Sequence, residues 1–169
     1  MKTLFFSALM LVAGLVWAEF DSALINDSSI KNIRQTDEYI FSSGQPSIVE
    51  LQLLKQAGIK HIINLRPHDE LMWDEQAAVE SLGMQYHNLA IGDAGDINVA
   101  NAEKLAALLA QVDGEAVLLH CASGNRVGAL VAVISAKLQG NSVDEAMAEG
   151  QRWGLSGMAP VVREKLYRF

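Results

Sequence analysis

Hydrophobic and polar positions along the chain alternate between a pattern typical of buried strands and one typical of helices. Short apolar runs, which predict strands, occur at residues 38–42, 61–65, 84–89 and 116–120. Longer helical segments, several of them begun by a cap at Ser47, Asn98 or Ser142, occupy residues 48–57, 69–82 or 71–82, 99–111, 127–139, 143–153 and a last short stretch that ends at 166. Strands that alternate with helices in this way predict an α/β fold with a central, mostly parallel sheet and helices on both faces.

The first 18 residues carry the pattern of a secretory signal peptide. Lys2 gives a basic start, Leu4–Val16 is an apolar run of 13 residues, and Ala18 is a small residue suited to cleavage. An uncleaved membrane anchor is the alternative, but the run is shorter than the roughly 20 residues that span a bilayer. We therefore predict a signal peptide at 1–18, a flexible lead-in at 19–32 and one domain at 33–169, with the mature protein in the periplasm or secreted.

The charge of the chain narrows the range of partners. Cleavage after Ala18 removes one base and no acid, so the net charge falls from −7 to −8. This negative charge argues against nucleic acid as a partner, and we expect no stable membrane insertion after signal cleavage. The four histidines, at 61, 68, 87 and 120, lack the spacing of metal ligands. We expect no metal and no cofactor, and the sequence does not indicate an oligomeric state.

The last predicted strand leads into the segment with the clearest chemical content. Cys121, the only cysteine, is followed by Ala122, Ser123, Gly124, Asn125, Arg126 and then a predicted helix. The N–H groups of such a turn and the N-terminus of the helix attract an anion, and an arginine fork can bind two of its oxygens. The same groups favour the thiolate form of Cys121. A buried structural cysteine is the alternative, but these linked features predict an oxyanion site at 121–126, braced by Arg66 at the end of another strand.

The stretch from His120 to Arg126 resembles the signature of the cysteine-dependent phosphatase superfamily. That signature has five residues between the cysteine and the arginine, whereas this chain has four, which is the spacing of the rhodanese sulfurtransferase loop. Residues 39–46 and 58–67 resemble the N-terminal half of the beta-lactamase-hydrolase-like phosphatases, within the protein tyrosine and dual-specificity phosphatase-like superfamily. The resemblance extends over residues 33–166 and implies a cysteine phosphatase-like (PTP/DSP-like) fold.

The resemblance also implies a reaction and the residues that perform it. Cys121 would attack phosphorus, while the backbone N–H groups of residues 122–126 and the side chain of Arg126 would hold the phosphate oxygens. The general acid would come from the loop at 90–98, where Asp96 is preferred and Asp93 is the alternative. Val127 stands where these phosphatases often have a serine or threonine that steadies the thiolate. Ser123 or His120 would then have to supply the missing donor.

Three functions stay open on these observations. The first is hydrolysis of a small phosphorylated substrate through a phosphocysteine on Cys121. The second is sulfur transfer through a persulfide on the same cysteine, for which Asp96 would be idle. The third is a non-catalytic module that binds an oxyanion in the loop without turning it over. The sequence does not name the substrate.

Overall fold

The computed structural model describes residues 20–168, so the predicted signal peptide lies outside the described residues. The strands of its sheet are β1 (Arg34–Gln35), β2 (Ile40–Ser43), β3 (His61–Asn64), β4 (Gln85–Asn88) and β5 (Val117–His120). They lie in the order β1-β2-β5-β3-β4, and every neighbouring pair is parallel except β1 and β2. The predicted mostly parallel sheet is confirmed. The antiparallel edge strand β1 was not predicted, because two residues are too few to show a periodicity.

Helices cover both faces of the sheet, as predicted. Within residues 20–168 they are α1 (Ser22–Asn26), α2 (Ile48–Gln56), α3 (Glu75–Ser81), α4 (Val99–Gln111), α5 (Asn125–Val133), α6 (Val143–Arg152) and α7 (Ala159–Arg168). A π-helical segment, Ile134–Leu138, continues α5, and the turns His68–Glu70 and Ala94–Asp96 are 3₁₀-helical. Side chains of α1–α3 form the core on one face, and those of α4–α7 form it on the other. None of the described helices is both long and apolar enough to cross a membrane.

The alternation of side chains along β5 separates two functional groups. Val117, Leu119 and Cys121 belong to the core beneath α4–α7, whereas Leu118 belongs to the core beneath α1–α3. Successive side chains of a strand point to opposite faces, so His120 lies on the same face as Leu118. Cys121 and the histidine that precedes it therefore have different surroundings.

The segment 20–32, expected to belong to a flexible lead-in, packs as part of the domain. It contains α1, and Ile25 and Ile30 are buried in the core on that face of the sheet. Asn32 Nδ2 donates a hydrogen bond to the carbonyl of Ser123 at 3.0 Å, which ties the segment to the loop after β5. The sequence indicated a loose lead-in because the few apolar residues of this polar segment form no recognisable helical or strand period.

The helix starts show where local signals are sufficient. The side chains of the predicted caps each accept a hydrogen bond from the backbone N–H three residues on: Ser47 before α2, Asn98 before α4 and Ser142 before α6. α3 begins at Glu75 rather than at 69 or 71. Asp74 is its N-cap, and residues 68–70 before it form a 3₁₀ turn. α5 begins at Asn125, two residues earlier than predicted, directly after Gly124.

Candidate active site

The loop from Cys121 to Arg126 joins β5 to α5 at the carboxyl end of the central strand. Cys121 is buried, and its Sγ accepts a hydrogen bond from the Gly124 N–H at 3.1 Å. Gly124 has a φ of 86°, a left-handed conformation that glycine adopts without steric cost. This turn allows α5 to begin at once, so the partial positive charge of the helix N-terminus lies beside the sulfur. The loop therefore favours a negative charge at Cys121.

The guanidinium of Arg126 is held by a carboxylate to which the sequence analysis gave no role. Its Nη1 and Nη2 donate to Oε2 and Oε1 of Glu70 at 3.0 and 2.8 Å. Arg66 supports Glu70 in turn, with Nε donating to Oε2 at 3.2 Å and Nη2 donating to the backbone carbonyl at 2.6 Å. The hydrogen bonds from Arg126, assisted by Arg66, hold the pKa of Glu70 below its ordinary value of 4.5. Because Glu70 takes the two terminal nitrogens, the Nε–H edge of Arg126 is left for an oxyanion.

A cavity of about 320 Å³ opens above Cys121. The loop after β5 and the loop after β4 line it, together with one residue from the stretch before α7: Gly92, Asp93, Ala94, Cys121, Ala122, Ser123, Asn125, Arg126 and Met158. Most of the sequence-predicted site residues thus meet around one space. Gly124, which is buried, is not part of the lining, but its N–H contacts the sulfur.

The two candidate acids have different surroundings. Asp93 is exposed and belongs to the lining of the cavity, and its Oδ1 accepts a hydrogen bond from the Gly95 N–H at 2.5 Å. Asp96 does not belong to it, and its Oδ2 accepts hydrogen bonds from the backbone N–H groups of Gly92 at 2.8 Å and Asp93 at 3.4 Å. The carboxylate of Asp96 therefore stabilises the turn to which it belongs.

The remaining predicted residues contact the site indirectly. Arg66 does not line the cavity and reaches Arg126 only through Glu70. Val127 is fully buried in the core, and within residues 20–168 only the Gly124 N–H donates to the Cys121 sulfur. Neither of the donors considered from the sequence, Ser123 and His120, therefore replaces the missing hydroxyl in this structure.

The sequence profile described as the tyrosine phosphatase family matches residues 29–167, nearly the whole described chain. The chain belongs to the tyrosine phosphatase family. No curated protein sequence matches it.

Solved structures agree with this membership. A candidate phosphatase (DUF442) from Shewanella putrefaciens CN-32 has 24% identity and a TM-score of 0.63, over 83% of this chain and 93% of that one. The candidate phosphatase nma1982 from Neisseria meningitidis Z2491 has 27% identity and a TM-score of 0.65, over 80% of this chain and 96% of that one. P. aeruginosa TpbA, solved in complex with pTyr, shares the fold at 16% identity and a TM-score of 0.53, over 82% and 91% of the two chains.

The predicted resemblance to protein tyrosine phosphatase-like proteins is thereby confirmed, together with the fold that it implied. Membership of this family supports a phosphatase-type hydrolase, and it does not favour sulfur transfer or a binding module. The narrower placement among the beta-lactamase-hydrolase-like phosphatases stays a prediction.

Beneath the loop, on the opposite face of the sheet, this member of the tyrosine phosphatase family buries a carboxylate. Glu75 is fully buried; its Oε1 lies 3.2 Å from Nε2 of His120 and accepts from Nε2 of Gln45 at 2.7 Å. Its Oε2 accepts from Nδ2 of Asn64 at 2.6 Å. The contact with His120 brings the two groups together without hydrogen-bond geometry, since neither ring nitrogen has a hydrogen-bond partner in the described part of the chain. The hydrogen bonds from Gln45 and Asn64 compensate for the loss of hydration at this fully buried carboxyl group.

Sequence reasoning missed Gln45 and Glu75, although one signal for the second was present. Asn64 and His120 are polar residues inside buried strands, and the two are paired in register on neighbouring strands. Buried polar groups need partners, so an acid from a nearby helix was to be expected on that face. The position of Gln45 depends on how β2 lies beside β5, which no local pattern reveals.

Proposed function

We propose that this chain hydrolyses a phosphate monoester through a phosphocysteine formed on Cys121. The observation that carries the proposal is that one cavity joins Cys121, Arg126 and Asp93. These residues provide the three parts that the reaction needs: a nucleophile, an oxyanion-binding group and a carboxylic acid. Membership of the tyrosine phosphatase family supports the same class of reaction.

In the first step, the Cys121 thiolate attacks phosphorus and the bond from phosphorus to the leaving oxygen breaks. The loop N–H groups and the Nε–H edge of Arg126 bind the remaining phosphate oxygens during the transfer. Protonated Asp93 gives its proton to the leaving oxygen, so that the alcohol departs uncharged. The products of this step are the free alcohol and a phosphoryl group bonded to the sulfur.

In the second step, water attacks the phosphocysteine and the sulfur–phosphorus bond breaks. Asp93, now ionised, accepts a proton from the attacking water, and phosphate leaves with the thiolate restored. We assign this role to Asp93 rather than to Asp96, which the sequence favoured. The reason is that Asp93 lines the cavity and Asp96 does not, although both carboxylates accept hydrogen bonds from the backbone of the same turn.

The cavity supports a small monoester as the substrate. Ala94, Ala122 and Met158 give it apolar surface near the loop, where the organic part of an ester would lie. The related TpbA structure holds pTyr, a phosphate monoester. We propose the same class, a phosphate monoester, for this chain.

Steady-state kinetics on an aryl phosphate with a weakly acidic leaving group tests the assignment. We expect Cys121→Ser to abolish turnover and Asp93→Asn to lower kcat about 10²- to 10⁴-fold, the usual range for general acid catalysis. Asp96→Asn is the matched control from the same loop, and it should retain most of the activity.

Three other outcomes would overturn parts of the proposal. A large loss in Asp96→Asn with little change in Asp93→Asn would return the acid role to Asp96. Thiosulfate–cyanide turnover that needs Cys121, without phosphatase activity, would establish sulfur transfer instead. Sulfate binding without any turnover would establish a non-catalytic module.

We also propose that the protein is exported. Lys2, the apolar run Leu4–Val16 and Ala18 support removal of residues 1–18, which gives a periplasmic or secreted protein. Mass spectrometry should find Glu19 at the mature N-terminus, and an intact Met1 on protein from the cytoplasm would refute export.

A further inference from the structure

Two carboxylates hold the two ends of the Cys121–Arg126 loop. At one end Glu75 lies 3.2 Å from the side chain of His120, the residue before Cys121. At the other end Glu70 binds both terminal nitrogens of Arg126. Both acids come from one short segment, the 3₁₀ turn and the beginning of α3. They approach the loop from different sides, because His120 and Cys121 lie on opposite faces of the sheet.

A single amide connects these two contacts. Gln45 Nε2 donates to Oε1 of Glu75 at 2.7 Å, and Gln45 Oε1 accepts from Nη1 of Arg66 at 2.9 Å. The orientation of the amide follows from chemistry, since a guanidinium only donates hydrogen bonds and the amide oxygen of Gln45 must therefore face Arg66. Arg66 continues the path to Glu70, with hydrogen bonds to its side chain and to its carbonyl. An unbroken series of polar contacts therefore runs from His120 to Arg126.

The backbone next to Gln45 belongs to the same arrangement. Gly44 forms an isolated β-bridge with Ser123, inside the loop itself. A Cβ atom on Gly44 would lie 3.2 Å from the carbonyl oxygen of Ala122, so the turn and the loop are in close contact. The residue before Gln45 is thus in backbone contact with the loop, and the Gln45 side chain contacts Glu75 on one side and Arg66 on the other.

We propose that Gln45 is a positioning residue that couples Glu75 to the Arg66–Glu70 pair. Both ends of the loop from Cys121 to Arg126, here called the oxyanion loop, are then held as one unit. This inference rests on the proposed function for its catalytic meaning. It concerns a property, the placement of Arg126 and Cys121, that can be measured without turnover. In this arrangement a change at Gln45 affects two groups that Gln45 does not touch.

The test uses Gln45→Leu, which keeps a similar volume and removes both hydrogen bonds. We expect the Kd for inorganic sulfate, measured by calorimetry, to rise about tenfold, because one coupled contact in such a network is worth about that factor. We also expect the rate of Cys121 alkylation by iodoacetamide to change. Gln45→Asn, whose side chain is too short to reach both partners, should have the same two effects while it keeps a polar group at this half-buried position.

A double-mutant cycle separates coupling from simple loss of structure. If Gln45 acts through Glu70, then Gln45→Leu should have little further effect on sulfate affinity in the Glu70→Gln background. Ser135→Ala is the control, since Ser135 is buried and accepts from Asn141 at 3.0 Å beyond the far end of α5. It should lower the free energy of unfolding and leave sulfate affinity unchanged.

Two results would overturn the proposal. One is that the effects of Gln45→Leu and Glu70→Gln on Kd simply multiply. The other is that only one of the two measurements, sulfate affinity or alkylation rate, changes in Gln45→Leu. Absence of phosphatase turnover would refute the proposed function alone, because neither measurement depends on it.

Discussion

The polar surroundings of Cys121 are sparse. Among residues 20–168, its sulfur accepts one hydrogen bond, from the Gly124 N–H, and it lies near the N-terminus of α5. Val127, which follows Arg126 in α5, is fully buried and carries no hydroxyl. In the proposed second step, the departing thiolate would therefore be stabilised mainly by backbone dipoles of the loop and of α5. Breakdown of the phosphocysteine is accordingly the step that an added donor would help most.

Val127→Ser tests this inference at the level of one side chain. A hydroxyl beside the sulfur should stabilise the departing thiolate, because a hydrogen bond to a charged group contributes about 1.5–3 kcal/mol, or roughly tenfold to a hundredfold in rate. We expect kcat for an aryl phosphate to increase. Val127→Ala is the matched control, because it removes volume without adding a donor. Equal behaviour of the two variants would show that the hydroxyl has no role.

At the scale of elements, the contact between α5 and α6 determines where the oxyanion loop ends. The backbone of α5 at Gly128 lies in direct contact with the backbone of α6 and of the residues that follow α6. A Cβ there would lie 2.2 Å from the Leu155 nitrogen and 2.3 Å from the Gly150 carbonyl oxygen. The same approach lets Asn125 Oδ1 accept from the Ser156 N–H at 2.9 Å, which fixes the first turn of α5. Close helix packing thus contributes directly to the geometry of the loop.

Gly128→Ala should therefore be strongly destabilising. The new methyl group would contact backbone atoms that cannot move aside, and overpacking of this kind costs about 1–3 kcal/mol of unfolding free energy. Gly157→Ala is the control, since its Cβ would meet only the Asn125 amide at 3.5 Å, an ordinary contact. Urea denaturation measures both. Equal stability of the two variants would contradict the close approach of α5 and α6.

The elements also show what local sequence signals can and cannot predict. The caps Ser47, Asn98 and Ser142 start helices where the sequence placed them, because capping is a contact within four residues. α1 and β1 were missed, since five and two residues are too short to carry a period. The turn between β5 and α5 could be predicted for the same reason as the caps, because its cysteine, glycine and arginine lie within six consecutive residues.

On the scale of the whole molecule, the residues that support the loop come together only through the topology. Gln45 follows β2, Arg66 follows β3 and Glu75 begins α3, yet all three join one set of contacts beside β5. The order of strands places β2 and β3 on either side of β5, and that order depends on long-range packing. Sequence patterns can therefore identify candidate reacting groups, whereas the groups that contact them from other elements require the structure.

A histidine pair between β3 and β4 makes the stability of the whole fold depend on pH. Nδ1 of His61 lies 3.3 Å from Nε2 of His87, and burial lowers the pKa of His87 below its ordinary value of 6.5, with His61 acting in the same direction. The folded protein therefore binds this proton less readily than the unfolded chain does. The contribution of His87 to stability is full above pH 6.5 and is lost as the pH falls through 6.5 towards the lower folded pKa.

Urea denaturation between pH 5 and 8 measures this contribution. Wild-type protein should lose free energy of unfolding below pH 6.5 more steeply than His87→Gln, which lacks the titrating group. His68→Gln is the control, because His68 is exposed, and it should keep the wild-type dependence. Parallel curves for wild type and His87→Gln would contradict the shifted pKa of His87.

The most direct test of the proposed chemistry is to detect the covalent intermediate on Cys121. An aryl phosphate with a good leaving group needs no acid in the first step, so Asp93→Asn should form the phosphocysteine but hydrolyse it slowly. Acid quenching followed by peptide mass spectrometry should find one phosphoryl group on the peptide that contains Cys121, and none in Cys121→Ser. Turnover of the aryl phosphate without any phosphoryl group on Cys121, or with the group on another residue, would contradict the account.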